Sequence, residues 1–182
     1  MGKIVISENV SLDGLGAGER LFEWVGQIKG EAASVLLDEA LGTEALLLGR
    51  RSYEFFAARW PSRNGEYADR LNSMPKYVVS STLERPVWNN VTVLKGDVVN
   101  EVSKLKQKVN GDIVVYASGR LVHTLMEHDL VDELRLMTFP FVLGAGERLF
   151  GETSDKKPMR LIDVKTIAND LAYLTYEVVR DA

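Results

Sequence analysis

Two hydrophobic periods divide the chain. Short, nearly unbroken apolar runs lie at Lys3 to Glu8, Ala45 to Leu48, Lys76 to Ser80, Asn90 to Leu94 and Ile113 to Tyr116. Their β-branched and aliphatic composition predicts strands. Ala45 to Leu48 is wholly apolar, which predicts a central strand buried on both faces. Between these runs the apolar residues take helical spacing. Leu21, Phe22, Val25 and Ile28 form one such stripe, with Trp24 beside it. Ala33 to Leu41 forms another, with Val35 and Leu36 inward, and Gly42-Thr43 stops it. Tyr53 to Phe56, Glu66 to Ser73, the Val98–Val109 stripe, and Leu121, Val122, Leu125 and Met126 complete the helices. Val131 to Phe141 is a further strand. Arg160 to Ala168 and Leu171 to Val179 alternate and meet at Asn169-Asp170, a hairpin signal. Right-handed crossovers between strands and helices then predict one domain, residues 1–182. It is α/β, a three-layer α/β/α fold around a mostly parallel eight-stranded sheet with an antiparallel C-terminal hairpin.

Composition removes several function classes. The net charge is −4, which argues against a binder of nucleic-acid backbone. Without cysteine, disulfides, thiolate catalysis and cysteine metal sites are excluded. His123 and His128 do not share a helix face, so no metal site is expected. The start MGKIVISENV lacks a long apolar run. It predicts neither a signal peptide nor a membrane span, and a cytoplasmic protein is expected.

The candidate chemistry sits where predicted strands end. Gly49-Arg50-Arg51-Ser52 joins a strand to a helix. Arginine forks and a helix start suit a phosphate, and solvated arginines are the competing reading. Ser80-Ser81-Thr82 follows the next strand, although hydroxyls also cap turns. Ala117-Ser118-Gly119-Arg120 follows another and opens the helix that contains Leu121 and Val122. Small residues there let an anion approach the backbone, and an ordinary αβ connection is the plain alternative. In a parallel sheet these ends share one edge, so the three clusters are expected to converge on one cleft. Gly14, Gly16 and Gly18 form a loop able to close over a ligand. Neither it nor Gly144 to Arg148 fits the dinucleotide G-x-G-x-x-G pattern.

Together these segments resemble the dihydrofolate reductase-like superfamily, and within it the stand-alone relatives of the RibD C-terminal reductase domain. The resemblance is carried by Ser11 to Gly14, Leu47 to Glu54, Lys76 to Thr82, Tyr116 to Val122, Leu130 to Leu134 and Leu143 to Phe150. It implies NADPH as hydride donor. Gly49, Arg50, Arg51 and Ser52 match the pyrophosphate and 2′-phosphate segment. Ser80, Ser81 and Thr82 match the adenosine-phosphate segment. Ala117, Ser118, Gly119, Arg120, Leu121 and Val122 match the turn beside the nicotinamide. The family turn has glycine where this chain has Ala117. The acid that protonates pterin in dihydrofolate reductases falls near Ala33. Tyr116 stands where RibD reductases often carry Glu.

The expected function is NADPH-dependent reduction of a small heterocycle, pterin- or pyrimidine-like. It resembles dihydrofolate reductase and 5-amino-6-(5-phosphoribosylamino)uracil reductase of riboflavin biosynthesis. Asp13 and Tyr116 are the candidate proton donors, with turn shaping and packing as their competing roles. Trp24 and Trp60 are candidates to stack on a planar substrate, with Tyr53 as a further substrate contact. The alternative is a nucleotide- or pterin-binding module that kept the fold and lost the chemistry. A homodimer is also expected, through the apolar run around Phe139 to Val142 and the C-terminal hairpin.

Overall fold

A computed structural model describes residues 1–17, 28–168 and 170–180. The apolar runs become the strands of one sheet. These are β1 (Lys3–Val10), β3 (Thr43–Gly49), β4 (Lys76–Val79), β5 (Val91–Leu94), β6 (Asp112–Tyr116), β7 (Glu133–Thr138), β9 (Met159–Ile167) and β10 (Leu171–Val178). Their spatial order is β5-β4-β3-β6-β1-β7-β10-β9. All pairings from β5 through β7 are parallel, and β10 runs antiparallel to both β7 and β9. The fold is therefore the expected eight-stranded, mostly parallel sheet with an antiparallel C-terminal hairpin. Val131 to Phe141 yields a shorter strand than its apolar run predicts. Pairing stops at Thr138, just ahead of Pro140, which has no N–H to give a ladder.

The helices are α1 (Glu31–Leu41), α2 (Arg50–Ala57), α3 (Glu66–Ser73), α4 (Val98–Lys108) and α5 (Gly119–Glu127). Strand alternation divides the core between two faces. On one face Ile4, Ile6, Leu47, Ile113 and Val115 pack against Val102 and Leu105 of α4 and Leu121, Val122 and Leu125 of α5. On the other, Val5, Leu46, Leu48, Val78 and Val114 pack against Tyr53 of α2 and Leu71 of α3. Farther along that second face, Ala32 of α1 meets Met137, Phe139, Ile167 and Tyr173. Leu46, Leu47 and Leu48 are at most 1% exposed, each worth about 1.5–3 kcal/mol of burial. Phe139, expected at a dimer face, is 1% exposed and belongs to this core.

Two short strands were not predicted. β2 (Leu15–Ala17) and β8 (Glu147–Arg148) pair antiparallel, so the two glycine loops meet as one small sheet. Gly16 lies against Leu149, where a Cβ would come within 3.0 Å of its side chain. The predicted helix around Leu21, Trp24 and most of its stripe lies outside the described residues, as does Gly18. Among the described residues, no helix is long and apolar enough to cross a membrane.

Candidate active site

Parallel pairing brings the ends of β3, β4 and β6 to one edge of the sheet, and hydrogen bonds tie the three polar turns there. Gly49 N–H donates to Ser118 Oγ at 3.0 Å, and Ser118 N–H donates to Ser52 Oγ at 3.0 Å. The Ser118 hydroxyl in turn donates to the Tyr116 carbonyl at 3.0 Å. Arg50 Nη1 donates to Thr82 Oγ1 at 3.2 Å and reaches Ser80 Oγ at 3.5 Å, while its Nε donates to Glu54 at 2.7 Å. Ser80 Oγ accepts from the backbone N–H groups of Thr82 and Leu83. Residues 49–52, 80–82 and 117–119 thus form one continuous rim. Ser81 is exposed on it.

The rim is built to be electropositive. α2 and α5 both begin on it, and neither has a side-chain cap. α4 begins with Asp97 accepting from Asn100 N–H at 3.1 Å. α1 and α3 also start without a side-chain cap, but helix starts carry partial positive charge and unpaired N–H groups, so the two that open on the rim favour an anion there. Arg51 and Arg120 are exposed, and among the described residues neither makes an ion pair. A Cβ on Gly119 would meet nothing within 4 Å, so the turn faces open space. Beside it an open groove of about 540 Å³ runs past Arg120, His123 and Arg148.

The turn before α5 is strained. Ala117 has φ +51° and Ser118 φ +62°, left-handed values that cost a non-glycine residue roughly 1–2 kcal/mol each. A glycine at position 117 would adopt this conformation freely. Such strain persists where surrounding bonds over-determine it, and it clusters at ligand sites.

The proton-donor candidates fare differently. Asp13 accepts from Ser11 Oγ at 2.6 Å, Leu143 N–H at 3.0 Å and Gly144 N–H at 2.9 Å. These bonds, the Ser11 hydroxyl first, pull its pKa down to about 2. An acid ionised throughout the neutral range holds no proton to give. Asp13 instead clasps two loops together. The Tyr116 hydroxyl donates inward to Glu39 Oε1 at 2.9 Å. Burial, then the Glu39 charge, push its pKa well above the ordinary phenol value. Tyr116 is thereby committed to an interior network.

The aromatic candidates are occupied as well. Tyr53 is 3% exposed, and its hydroxyl accepts from Val87 N–H at 2.8 Å. That makes it a core residue rather than a substrate contact. Trp60 packs edge-on against Tyr67 at 5.1 Å, with Arg63 stacked 4.7 Å from its ring centre. Its ring is engaged in packing between α2 and α3. Trp24 lies outside the described residues. Leu121 and Val122 are buried in the core, so only their backbone can serve the rim.

Two carboxyls escaped the sequence reading. Glu39, on the buried stripe of α1, accepts from Ser7 Oγ at 2.7 Å and from Tyr173 at 2.9 Å as well as from Tyr116. Arg135 Nη1 reaches its second oxygen at 3.5 Å. The acid of this helix therefore lies beyond Ala33, at the centre of a closed network. Glu8 follows Ser7 on β1 and so points to the opposite face. It is 8% exposed, and its Oε1 has no partner among the described residues. Its carboxyl also accepts from Ala117 N–H. Burial pushes its pKa well above the usual carboxylate range. The Ala117 bond opposes that shift, and the Glu39 charge adds to it. Glu8 thus lies under the strained turn and binds its proton more tightly than a free carboxylate does. Each carboxyl left a sequence signal. Glu8 interrupts an apolar strand, and Glu39 falls seven positions after Ala32 on one helix stripe.

Comparison with known proteins agrees with this architecture. The uncharacterized protein YyaP of Bacillus subtilis (strain 168) is 25% identical over 186 residues, covering 96% of this chain and 94% of that protein. YwjB of the same organism, also uncharacterized, is 28% identical over 164 residues, covering 90% and 91%. A putative riboflavin biosynthesis protein from Shewanella sp. PV-4 superposes with TM-score 0.78 at 24% identity, covering 99% of this chain and all of that one. Dihydrofolate reductase from Enterococcus faecalis, solved with NADP(H), superposes with TM-score 0.62 at 16% identity, covering 97% and 96%. These two structures share the fold. The family model described as RibD C-terminal domain matches residues 2–173, from the start of β1 into β10. The chain belongs to the RibD C-terminal domain family.

Proposed function

We propose that the protein is an NADPH-dependent reductase of a small heterocyclic substrate, pterin- or pyrimidine-like. One observation carries the reading: three separate turns are hydrogen-bonded into a single cationic rim at the ends of parallel strands. A dinucleotide with an extra phosphate is the small ligand whose charge suits such a rim. Arg50, with Ser80 and Thr82, would hold the 2′-phosphate end. The N–H groups opening α2 and α5 would hold the pyrophosphate. Gly119 leaves room for the cofactor to pass. When bound, the cofactor supplies a hydride. The chain's own residues must then orient the acceptor, exclude water and hold a proton. Glu8, its pKa raised by burial, is the acid assigned to that proton. The β2–β8 sheet, clasped by Asp13, closes the groove beside α5.

The E. faecalis neighbour, solved with NADP(H), supports the cofactor. A pyrimidine reductase-like protein from Corynebacterium diphtheriae, TM-score 0.69 at 14% identity, supports the substrate class. The rival reading, a binding module without turnover, is favoured by the commitment of Asp13 and Tyr116 to structural bonds. Nicotinamide fluorescence on titration with NADPH tests the cofactor, and saturable binding is expected. No binding at millimolar cofactor would reject the proposal. Oxidation of bound NADPH with a panel of dihydropterins and ribosylaminopyrimidines separates reductase from module.

A further inference from the structure

The crossover from β4 to β5, residues 80–90, contains neither helix nor strand. Parallel strands are ordinarily joined through a helix, whose own bonds hold the connection. Here the segment is a strap, and its place is set by what it touches. Its first residues, Ser80 to Thr82, belong to the rim. Leu83 and Trp88 are buried, at 7% and 4% exposure, and the Trp88 indole donates to Asn72 Oδ1 of α3 at 2.7 Å. Between these anchors, residues 84–87 make one hydrogen bond among the described residues. Val87 N–H donates to the Tyr53 hydroxyl at 2.8 Å. The Val87 side chain is 82% exposed, so it does not anchor the strap.

α2 depends on the same bond. Tyr53 is the one buried residue of that helix, and Arg50 stands three positions before it, on the same side. α2 therefore meets the strap twice. The exposed Arg50 reaches Thr82 and Ser80, and the buried Tyr53 holds Val87. The outer meeting joins flexible side chains in solvent, and the entropy of ordering them opposes it. The inner meeting is desolvated and fixes backbone. A phenylalanine would fill the same space without the cost of burying a hydroxyl. What the oxygen adds is the bond to the strap.

We propose that the Tyr53 hydroxyl is a positioning group for cofactor selection. By pegging the strap to α2 it sets Ser80 and Thr82 against Arg50, and so tunes the grip on the 2′-phosphate. This inference rests on the NADPH reading given above. It assigns Tyr53 no contact with cofactor or substrate.

Calorimetric titration of the full chain with NADPH, NADH and adenosine 2′,5′-bisphosphate tests it, on wild type and Tyr53→Phe. The exchange should weaken NADPH and the bisphosphate about tenfold, and NADH by less than about twofold. In an Arg50→Ala background it should cost NADPH no more than about twofold, because the contact it tunes is already gone. Leu71→Val, which opens a cavity in the same core cluster, should lower the unfolding midpoint and leave the NADPH-to-NADH ratio unchanged. A wild-type measurement stands beside these variants. Binding is reciprocal, so saturating NADPH should slow hydrogen exchange at the Val87 amide at least about threefold more than saturating NADH does. A wild type that does not prefer NADPH would sink the cofactor reading, and this inference with it. A wild type that prefers NADPH, with a Tyr53→Phe ratio unchanged or a loss just as large without Arg50, would overturn this inference alone. So would Val87 exchange indifferent to the cofactor.

Discussion

Arg50 and Arg135 carry the same group at opposite edges of one sheet and are treated in opposite ways. At the edge where β1, β6 and β7 begin, Arg135 is closed in. Its Nε meets Glu133 at 2.7 Å, its Nη2 meets Asp112 at 2.9 Å, and its Nη1 reaches Glu39. Lys3 bonds Glu133 as well, and Lys106 and Arg180 hold Asp132 nearby. Burial works against the Arg135 charge, and Asp112 and Glu133 outweigh it to hold the guanidinium protonated. At the rim, Arg50 has Glu54 as its one acidic partner among the described residues, and hydroxyls otherwise. Arg51 and Arg120 stand exposed beside it. A guanidinium whose donors are satisfied by carboxylates holds the fold. One that meets neutral oxygens can still attract an anion.

The comparison breaks most sharply at the base. Arg135→Met should cost about 3–5 kcal/mol, because Glu133, Asp112 and Glu39 lose their countercharge. Urea unfolding measures this, and NADPH binding by the folded fraction should be unchanged. Arg50→Ala should do the reverse. Its stability should stay within about 0.5 kcal/mol of wild type. Affinity for NADPH should fall roughly ten- to a hundredfold, the worth of a charged hydrogen bond to phosphate. Equal stability losses in the two variants would erase the distinction.

The carboxyls sharpen the same contrast across the sheet. Glu39 is satisfied by hydroxyls and Arg135, whereas Glu8 has an unpartnered oxygen under the rim. A raised folded pKa means the native state binds the Glu8 proton more tightly than the unfolded chain does. That stability is present in acid and is lost as pH rises from the ordinary carboxylate range through the folded value. Glu8→Gln removes this loss, so the variant should gain on wild type as pH rises, read from unfolding midpoints across pH. The smallest effect is expected at Asp13. Its pKa, lowered to about 2 from 3.8, gives stability that is present above the unfolded value and lost as pH falls through the folded one. Asp13→Asn should flatten that acid limb and leave neutral-pH binding nearly intact.

Much of this architecture was legible in the chain. Apolar runs and helical stripes located the sheet because burial on one or two faces writes its period into the sequence. The rim was legible because parallel strands end together, so that Gly49, Ser80 and Ala117 had to meet. What the sequence hid depends on tertiary meeting. β2 and β8 are two or three residues long, flanked by glycine loops and far apart in the chain, and Asp13 joins their loops. Tyr53 and Trp60 looked like ligand contacts by residue type, and only packing shows them engaged. Glu8 and Glu39 stood in apolar patterns where a carboxyl is unexpected, and their partners come from distant strands. Ala117 and Ser118 gave no local sign of left-handed backbone, since glycine is the residue that ordinarily marks it.

The central claim is that this rim grips a dinucleotide by its extra phosphate. Calorimetric titration of the wild-type protein with NADPH and, separately, NADH tests it most directly. NADPH should bind at least about tenfold more tightly, the contribution of one charged phosphate contact. Equal affinities, or no heat with either cofactor, would contradict it.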